Sequence, residues 1–212
     1  MANNPDFMKL VIKNVDLQWP RLDQPYRYNQ ATEKTEPCAP TAQNAAWSCG
    51  WTVPMAEGKA MFEVLKKHFN ECKARNPSLG VFSKVFGMKK DEASGTVTFS
   101  AKRACVSQDG SVKKPPTVTD ARLQDLADKA IWSGSKGGLR VLAFPTKDPR
   151  DGAHGITLLL DAVVVSNPVY GGNGLADDFG IDDSIAGDFD APPAPAKVAA
   201  PAPAAESAEA DF

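Results

Sequence analysis

The last forty residues, 173–212, restrict the fold most, because proline recurs through them. It is found in Ala191-Pro192-Pro193-Ala194-Pro195 and again in Pro201-Ala202-Pro203. Each proline fixes φ and removes a backbone donor, and Pro/Ala tracts of this kind act as extended spacers. We therefore predict that the folded domain is residues 1–172. Residues 173–212 are predicted to be a disordered, acidic, Pro/Ala-rich tail.

Charge divides the chain at the same place. The tail has nine acids and one base, a net charge of −8, whereas residues 1–172 have 23 bases and 17 acids, a net charge of +6. A basic body joined to an acidic tail is typical of proteins that contact nucleic acid. The tail ends in Asp211 and Phe212, and an aromatic ring with its own carboxylate suits a small apolar pocket rimmed by Arg or Lys on a partner. A tail that only aids solubility is the alternative.

The sequence contains no convincing set of catalytic or metal-binding residues. It has no P-loop and no nucleophile elbow, and its two histidines, His68 and His154, lie in a predicted helix and a predicted loop. The four cysteines form no Cys-x-x-Cys pair. We predict a protein that is not an enzyme, with no cofactor, no metal and no disulfide framework.

No segment predicts membrane insertion or export. No apolar run approaches the roughly 20 residues of a membrane helix, and the N-terminus has no apolar signal core. The default expectation is a cytoplasmic protein.

Alternating apolar residues predict a mainly β body. Strands are indicated over 7–17, 45–53, 95–104, 139–145 and 155–165, and the last two form the strongest hairpin. Residues 23–42 are polar and proline-containing, which predicts a long loop. Within it, Tyr26-Arg27-Tyr28 sets a guanidinium between two aromatic rings that could stack on bases, although packing on their own domain is the equal alternative.

One amphipathic helix is predicted from Pro54 to about Arg75. Its apolar residues recur at helical spacing among charged ones: Met61, Leu65, Phe69 and Cys72. A second, short helix is expected from Asp120 to Leu126. The chain shows no βαβ rhythm, so the best fit is a five-stranded antiparallel OB-like barrel with one packed α-helix.

The chain resembles the phage-encoded single-stranded-DNA-binding proteins of the OB-fold type, from short-tailed phages that carry their own replication machinery. The matching stretches are Ile131-Trp132-Ser133-Gly134-Ser135, the strand with Arg140, the strand from Gly155 to Val165, the acidic Asp177-Asp178-Phe179, and Pro115-Pro116-Thr117-Val118. The Pro/Ala spacer departs from the all-acidic tails of that group. The resemblance implies coating of single strands during replication or recombination in the host cytoplasm. Two linked hypotheses concern the tail: it competes with DNA for the basic body, and, once DNA displaces it, Asp211 and Phe212 dock replication proteins such as polymerase or primase-helicase.

For such an activity the candidate DNA contacts are bases for phosphates and aromatic rings for stacking. The candidates are Tyr26, Arg27, Tyr28, Trp47, Trp51, Lys102, Arg103, Lys113, Lys114, Trp132, Lys136, Arg140 and Phe144. Core packing is the alternative for each tryptophan, and for Trp47 and Trp51 it is favoured because they share one face of a strand with Cys49 and Val53.

Other functions remain open at this point. One alternative is a protein-interaction adaptor, whose acidic tail would be the functional part and which would not bind DNA. Another is a nuclease that uses scattered metal-binding acids to cleave DNA. A duplex-binding protein is disfavoured, because no predicted helix has the basic face that the major groove requires. Self-association into a homodimer is also left open.

Overall fold

The computed structural model describes residues 5–107 and 109–170. Its elements are, in chain order, β1 (Met8–Asn29), β2 (Lys34–Pro37), β3 (Ala46–Pro54), α1 (Met55–Arg75), β4 (Phe82–Val85), β5 (Lys89–Asp91), β6 (Thr96–Ala104), β7 (Thr117–Asp120), β8 (Lys136–Lys147) and β9 (His154–Asn167). The predicted tail lies outside the described residues.

Five strands close into a barrel. β1 pairs with β3, β3 with β6, β6 with β9, β9 with β8, and β8 returns to β1. If the five barrel strands are numbered 1 to 5 in chain order, their order around the barrel is 1-2-3-5-4. Four pairings are antiparallel and the closing one, β6 with β9, is parallel through Lys102 and Leu159. The predicted OB-like barrel with one helix is therefore confirmed.

Helix α1 connects the second and third barrel strands and packs on the barrel. Leu65, Phe69 and Cys72 are completely buried, as the helical spacing predicts. The helix packs tightly at Gly58, where a Cβ atom would lie 2.5 Å from Cγ2 of Val97 on β6. No helix in the described residues combines the length and the apolar character needed to cross a membrane.

The tryptophans of β3 belong to the interior. Trp51 is completely buried and stacks on Phe99 of β6, with ring centroids 5.5 Å apart. Trp47 is 5% exposed and packs with Ala45 and Cys105 in a smaller cluster. The structure therefore removes Trp47 and Trp51 from the candidate DNA contacts, because a buried ring offers no face to a base.

Two predictions of local structure are wrong. Residues 23–42 are not one long loop, since β1 continues to Asn29 and pairs with β2. The helix expected after Asp120 is absent from this described segment. Instead the Asp120 carboxylate accepts hydrogen bonds from the backbone N–H groups of Arg122 and Gln124, each at 2.8 Å, and closes a turn. Local side-chain bonds of this kind compete with helix formation.

Candidate nucleic-acid interface

A one-residue bulge in β1 changes which of its side chains lie on the outer surface of the barrel. Gln18 pairs with Gly50, and the next register pair joins Arg21 to Ser48, so three steps along β1 match two steps along β3. The extra residue changes which side chains face outward. Arg21 consequently lies on the outer face, and Leu22 enters the core at 2% exposure.

The outer face of β1, β3 and β6 has a floor of small residues. In register, Ser48 lies between Arg21 of β1 and Lys102 of β6, and Gly50 lies between Gln18 and Ser100. A Cβ atom on Gly50 would come within 3.1 Å of the Gln18 carbonyl oxygen. The floor is therefore low, while Arg21 and Lys102 form its two sides.

This face forms a groove in two parts, which we call the β1–β3–β6 groove. The larger part, about 780 Å³, includes Arg21, Tyr26, Arg27, Tyr28, Ser48 and Lys102 in its lining. The smaller part, about 300 Å³, includes Trp19, Arg21, Ser48, Gly50, Lys89, Ser100 and Lys102. Arg21, Ser48 and Lys102 line both parts, so the groove is continuous.

Two tyrosines form one wall of the larger part. The Arg21 guanidinium lies over the Tyr26 ring, 5.6 Å from its centroid, which fixes both side chains beside the groove. Tyr28, two residues further along β1, is 60% exposed and leaves a ring face open. The predicted residues Tyr26, Arg27, Tyr28 and Lys102 thus come together in one groove.

Three cations of the groove have no ion-pair partner among the described residues. Among the described residues, no Asp or Glu lines either part, and Arg21, Lys89 and Lys102 take part in no ion pair. Asp16, two register pairs before Gln18 on β1, has its carboxylate 2.8 Å from the ammonium group of Lys136. The arrangement therefore attracts anions and leaves the cations available to them.

Glu36 of β2 fastens the β1–β2 hairpin beside the groove. Its carboxylate accepts a hydrogen bond from Thr32 Oγ1 at 2.6 Å and another from Asn29 Nδ2 at 3.0 Å. These bonds, that from Thr32 first, hold the pKa of Glu36 below its usual value. The Glu36 carboxylate thus joins β2 to the end of β1 and to the turn between them.

Arg103 and Arg140, two of the predicted phosphate contacts, are engaged elsewhere. Arg140 Nε donates to the Asp161 carboxylate, and Arg103 Nη1 lies 3.9 Å from the same group. Arg103 Nε also donates to the Lys114 carbonyl oxygen at 2.8 Å. Because side chains alternate along β6, Arg103 faces away from the groove side that Lys102 occupies. Both arginines therefore have partners within the fold.

The remaining predicted residues are dispersed. Lys113 and Lys114 lie in the segment that Arg103 holds, Lys136 pairs with Asp16, and the half-buried Phe144 ring lies 5.0 Å from Phe7. Trp132 is 55% exposed in the turn before β8. Asp211 and Phe212 lie outside the described residues.

Sequence reasoning missed three groove residues, Trp19, Arg21 and Lys89. Trp19-Pro20 reads as the end of a strand, since proline cannot donate to a ladder. Lys89 belongs to a strand of three residues that shows no periodicity. A sequence signal for Arg21 existed in the spacing of the buried Leu17 and Leu22, which are five residues apart and so require a bulge between them.

The β8–β9 hairpin tip is fixed by charge. The buried Asp148 carboxylate accepts from Arg150 Nη2 at 3.1 Å and lies 3.5 Å from Lys84 Nζ. Hydrogen bonds from the Arg150 side chain, with further help from its backbone N–H, hold the pKa of Asp148 near 2. Lys84 also pairs with Asp151 at 2.8 Å, so β4 and the hairpin tip are joined.

The fold has counterparts among bacteriophage proteins. The single-stranded DNA-binding protein of bacteriophage Enc34, solved in complex with ssDNA, matches with a TM-score of 0.53 and 15% identity over 77% of this chain and 88% of that chain. Bacteriophage T7 gp2.5, a single-stranded DNA-binding protein, matches with a TM-score of 0.54 and 17% identity over 81% and 93%. This chain shares their fold. No protein-family model matches the sequence, and neither does a curated protein sequence.

Proposed function

We propose that the protein binds single-stranded DNA without sequence preference in the β1–β3–β6 groove and coats it during phage DNA replication or recombination. The observation that carries the proposal is the groove itself, where Arg21, Lys89 and Lys102 meet the Tyr26–Tyr28 wall with no described acid among the lining residues. Cations and open aromatic rings are what single-strand binding requires.

The groove favours unpaired strands for a physical reason. Cations on the outer face follow phosphates, and the small residues Ser48, Gly50 and Ser100 let bases approach the sheet. Tyr28 offers its ring to whichever base lies above it, because every base has a π-face. Stacking of this kind needs bases that are free of a duplex. It needs no catalytic group and no cofactor.

The structural relatives support this assignment. Both Enc34 and T7 proteins are single-stranded DNA-binding proteins, and the Enc34 protein was solved with its ligand. OB-type barrels bind oligonucleotides on the face formed by their second and third strands. In this chain those strands are β3 and β6, which form the floor of the groove.

A direct test measures the anisotropy of labelled oligo(dT) as the full chain is added. We expect binding that weakens as salt rises, with a log–log slope near −0.7 for each phosphate contacted. Lys102→Glu should weaken binding at least tenfold, whereas Lys66→Glu on the exposed side of α1 should change it little. If neither the full chain nor the chain lacking residues 173–212 bound oligo(dT), the proposal would be overturned and the adaptor function would be favoured.

We propose that the acidic tail regulates this binding. Its net charge of −8 opposes the +6 of residues 1–172, and the covalent connection gives it a high effective concentration at the groove. When DNA displaces the tail, Asp211 and Phe212 become free to dock replication proteins such as polymerase or primase-helicase. A partner that binds the Phe212→Ala variant as well as the wild type would contradict the docking role.

Self-association into a homodimer and location in the host cytoplasm stay predictions. Light scattering coupled to size-exclusion chromatography of the full chain, with and without oligo(dT), tests the first.

A further inference from the structure

Trp19 is held in an unusual backbone conformation with its ring in solvent. Its φ is +44°, a value that is an outlier for a bulky residue, and its side chain is 64% exposed. Both features cost free energy, and strain of this kind persists where the surrounding structure imposes it and is concentrated at functional sites. The exposed ring lies at the β1 bulge, beside Arg21 in the smaller part of the groove.

The turn before β8 imposes this conformation. The backbone N–H of Trp19 donates to Ser133 Oγ at 2.8 Å, and Leu17 exchanges backbone hydrogen bonds with Ser135 at 2.8 Å and Gly134 at 3.2 Å. The backbone N–H of Trp132, in the same turn, donates to the Val169 carbonyl oxygen at 2.8 Å. Two exposed indoles therefore belong to neighbouring segments that are tied to each other.

The Trp19 indole lines the groove, and Trp132 belongs to the turn next to it. Lys89 of β5, Ser100 of β6, Gly50 of β3 and Trp19 of β1 line its smaller part, and the 131–135 turn lies beyond β1. Four steps of about 4.8 Å separate β5 from this turn, roughly 19 Å in all. The Tyr26–Tyr28 wall lines the other part of the same groove.

We propose that Trp19 and Trp132 form a second base-stacking site at the β1 end of the β1–β3–β6 groove. The inference rests on the proposed function and adds to it. A single strand is then held at two aromatic sites, with Arg21 and Lys102 binding the phosphates between them. Ser133 acts as a positioning residue, because its hydroxyl group fixes the Trp19 backbone.

Tryptophan fluorescence tests this site without relying on affinity alone. Of the four tryptophans in the sequence, Trp47 and Trp51 are buried and Trp19 and Trp132 are exposed. Oligo(dT) should therefore quench the emission of the wild-type chain by stacking on the exposed pair. In the double variant Trp19→Phe/Trp132→Phe the quenching should vanish, while binding followed by anisotropy persists because phenylalanine still stacks.

Affinity provides the second readout. Trp19→Asn removes the ring but keeps a residue that tolerates positive φ, and it should weaken oligo(dT) binding about fivefold or more, as expected for the loss of one stacked base. Ser133→Ala should weaken binding less and reduce the quenching. The matched control is Leu123→Asn, at another exposed position with positive φ (+63°, 76% exposed) that does not line the groove, and it should change neither.

The outcomes separate the two proposals. A wild-type chain that binds no oligonucleotide overturns the proposed function. A chain that binds, but whose affinity survives Trp19→Asn and whose quenching survives the double phenylalanine variant, overturns the second site alone.

Discussion

Single residues of the groove differ in how free they are to meet a base. Tyr26 is half-buried and has the Arg21 guanidinium 5.6 Å from its ring centroid, so one face of its ring is already occupied. Tyr28 is 60% exposed, and no ring contact or cation involves it among the described residues. Tyr28 is therefore the aromatic residue of the larger part that can stack on a base without rearrangement.

Substitution of Tyr28 separates stacking from the hydroxyl group. Tyr28→Ala should weaken oligo(dT) binding by about 1–3 kcal/mol, the contribution of one stacked base, whereas Tyr28→Phe should keep most of the affinity. Both variants should melt near the wild-type temperature because the side chain is exposed. Val81→Ala, at a 79% exposed position outside the groove, is the control. Equal affinity in Tyr28→Ala and wild type would exclude stacking at this position.

At this scale the sequence predicts residue types better than their positions. Tyr26, Tyr28 and Lys102 were recognisable as aromatic and basic residues with polar neighbours, and they line the groove. Arg103 looked the same as Lys102 on sequence, yet its partners are Asp161 and the Lys114 carbonyl oxygen. The partners of Arg103 lie 11 and 58 residues away in the chain, and the local pattern around two adjacent basic residues does not show which of them is engaged in this way.

Among the elements, helix α1 shows how closely one connection is fitted to the barrel. Gly58 is buried in its first turns, where a Cβ atom would lie 2.5 Å from Cγ2 and 2.6 Å from Cβ of Val97. Val97 is itself 1% exposed on β6, so a Cβ atom at residue 58 would have to displace a core side chain. The glycine is therefore needed for close packing and not for its backbone freedom.

Gly58→Ala should consequently destabilise the protein despite the better helix propensity of alanine. Overpacking costs about 1–3 kcal/mol, and the better helix propensity of alanine offsets about 1 kcal/mol of it. The free energy of unfolding should therefore fall by up to ~2 kcal/mol. Urea denaturation measures it. Adding Val97→Ala should make the Gly58→Ala change less harmful than it is alone, and strictly additive effects would argue against the contact.

Helix α1 and the β8–β9 hairpin were predictable because their periodicity is local and uninterrupted. The continuation of β1 beyond Trp19-Pro20 was not, since a bulge and a positive φ allow a strand to pass a proline that would otherwise end it. The parallel closure of β6 on β9 joins residues 57 positions apart, Lys102 and Leu159. Such a pairing leaves no trace in the pattern of either strand.

For the whole molecule, the distribution of charge matters more than its total. The net charge of −2 combines +6 in residues 1–172 with −8 in residues 173–212. The proposed regulation depends on this separation, because the tail and a nucleic acid present the same sign of charge to the groove.

Deletion of residues 173–212 should therefore raise the affinity for oligo(dT) at low salt, by about tenfold if the tail competes with ~1.4 kcal/mol. The gain should shrink as salt screens both interactions. A full-length variant with the nine tail acids changed to Asn or Gln is the matched control for length, and it should behave like the deletion. Unchanged affinity of both at low salt would remove competition from the mechanism.

The closing pair of the barrel has a thermodynamic consequence. The ladder between β6 and β9 has one register pair, and its β6 member, Lys102, also lines the groove. If single-stranded DNA binds the β1–β3–β6 groove and prefers the closed barrel, we expect it to stabilise the closure where the ladder is shortest. Ligand occupancy and resistance to local opening are then linked, and the stabilisation grows with the logarithm of one plus the ligand concentration divided by its dissociation constant.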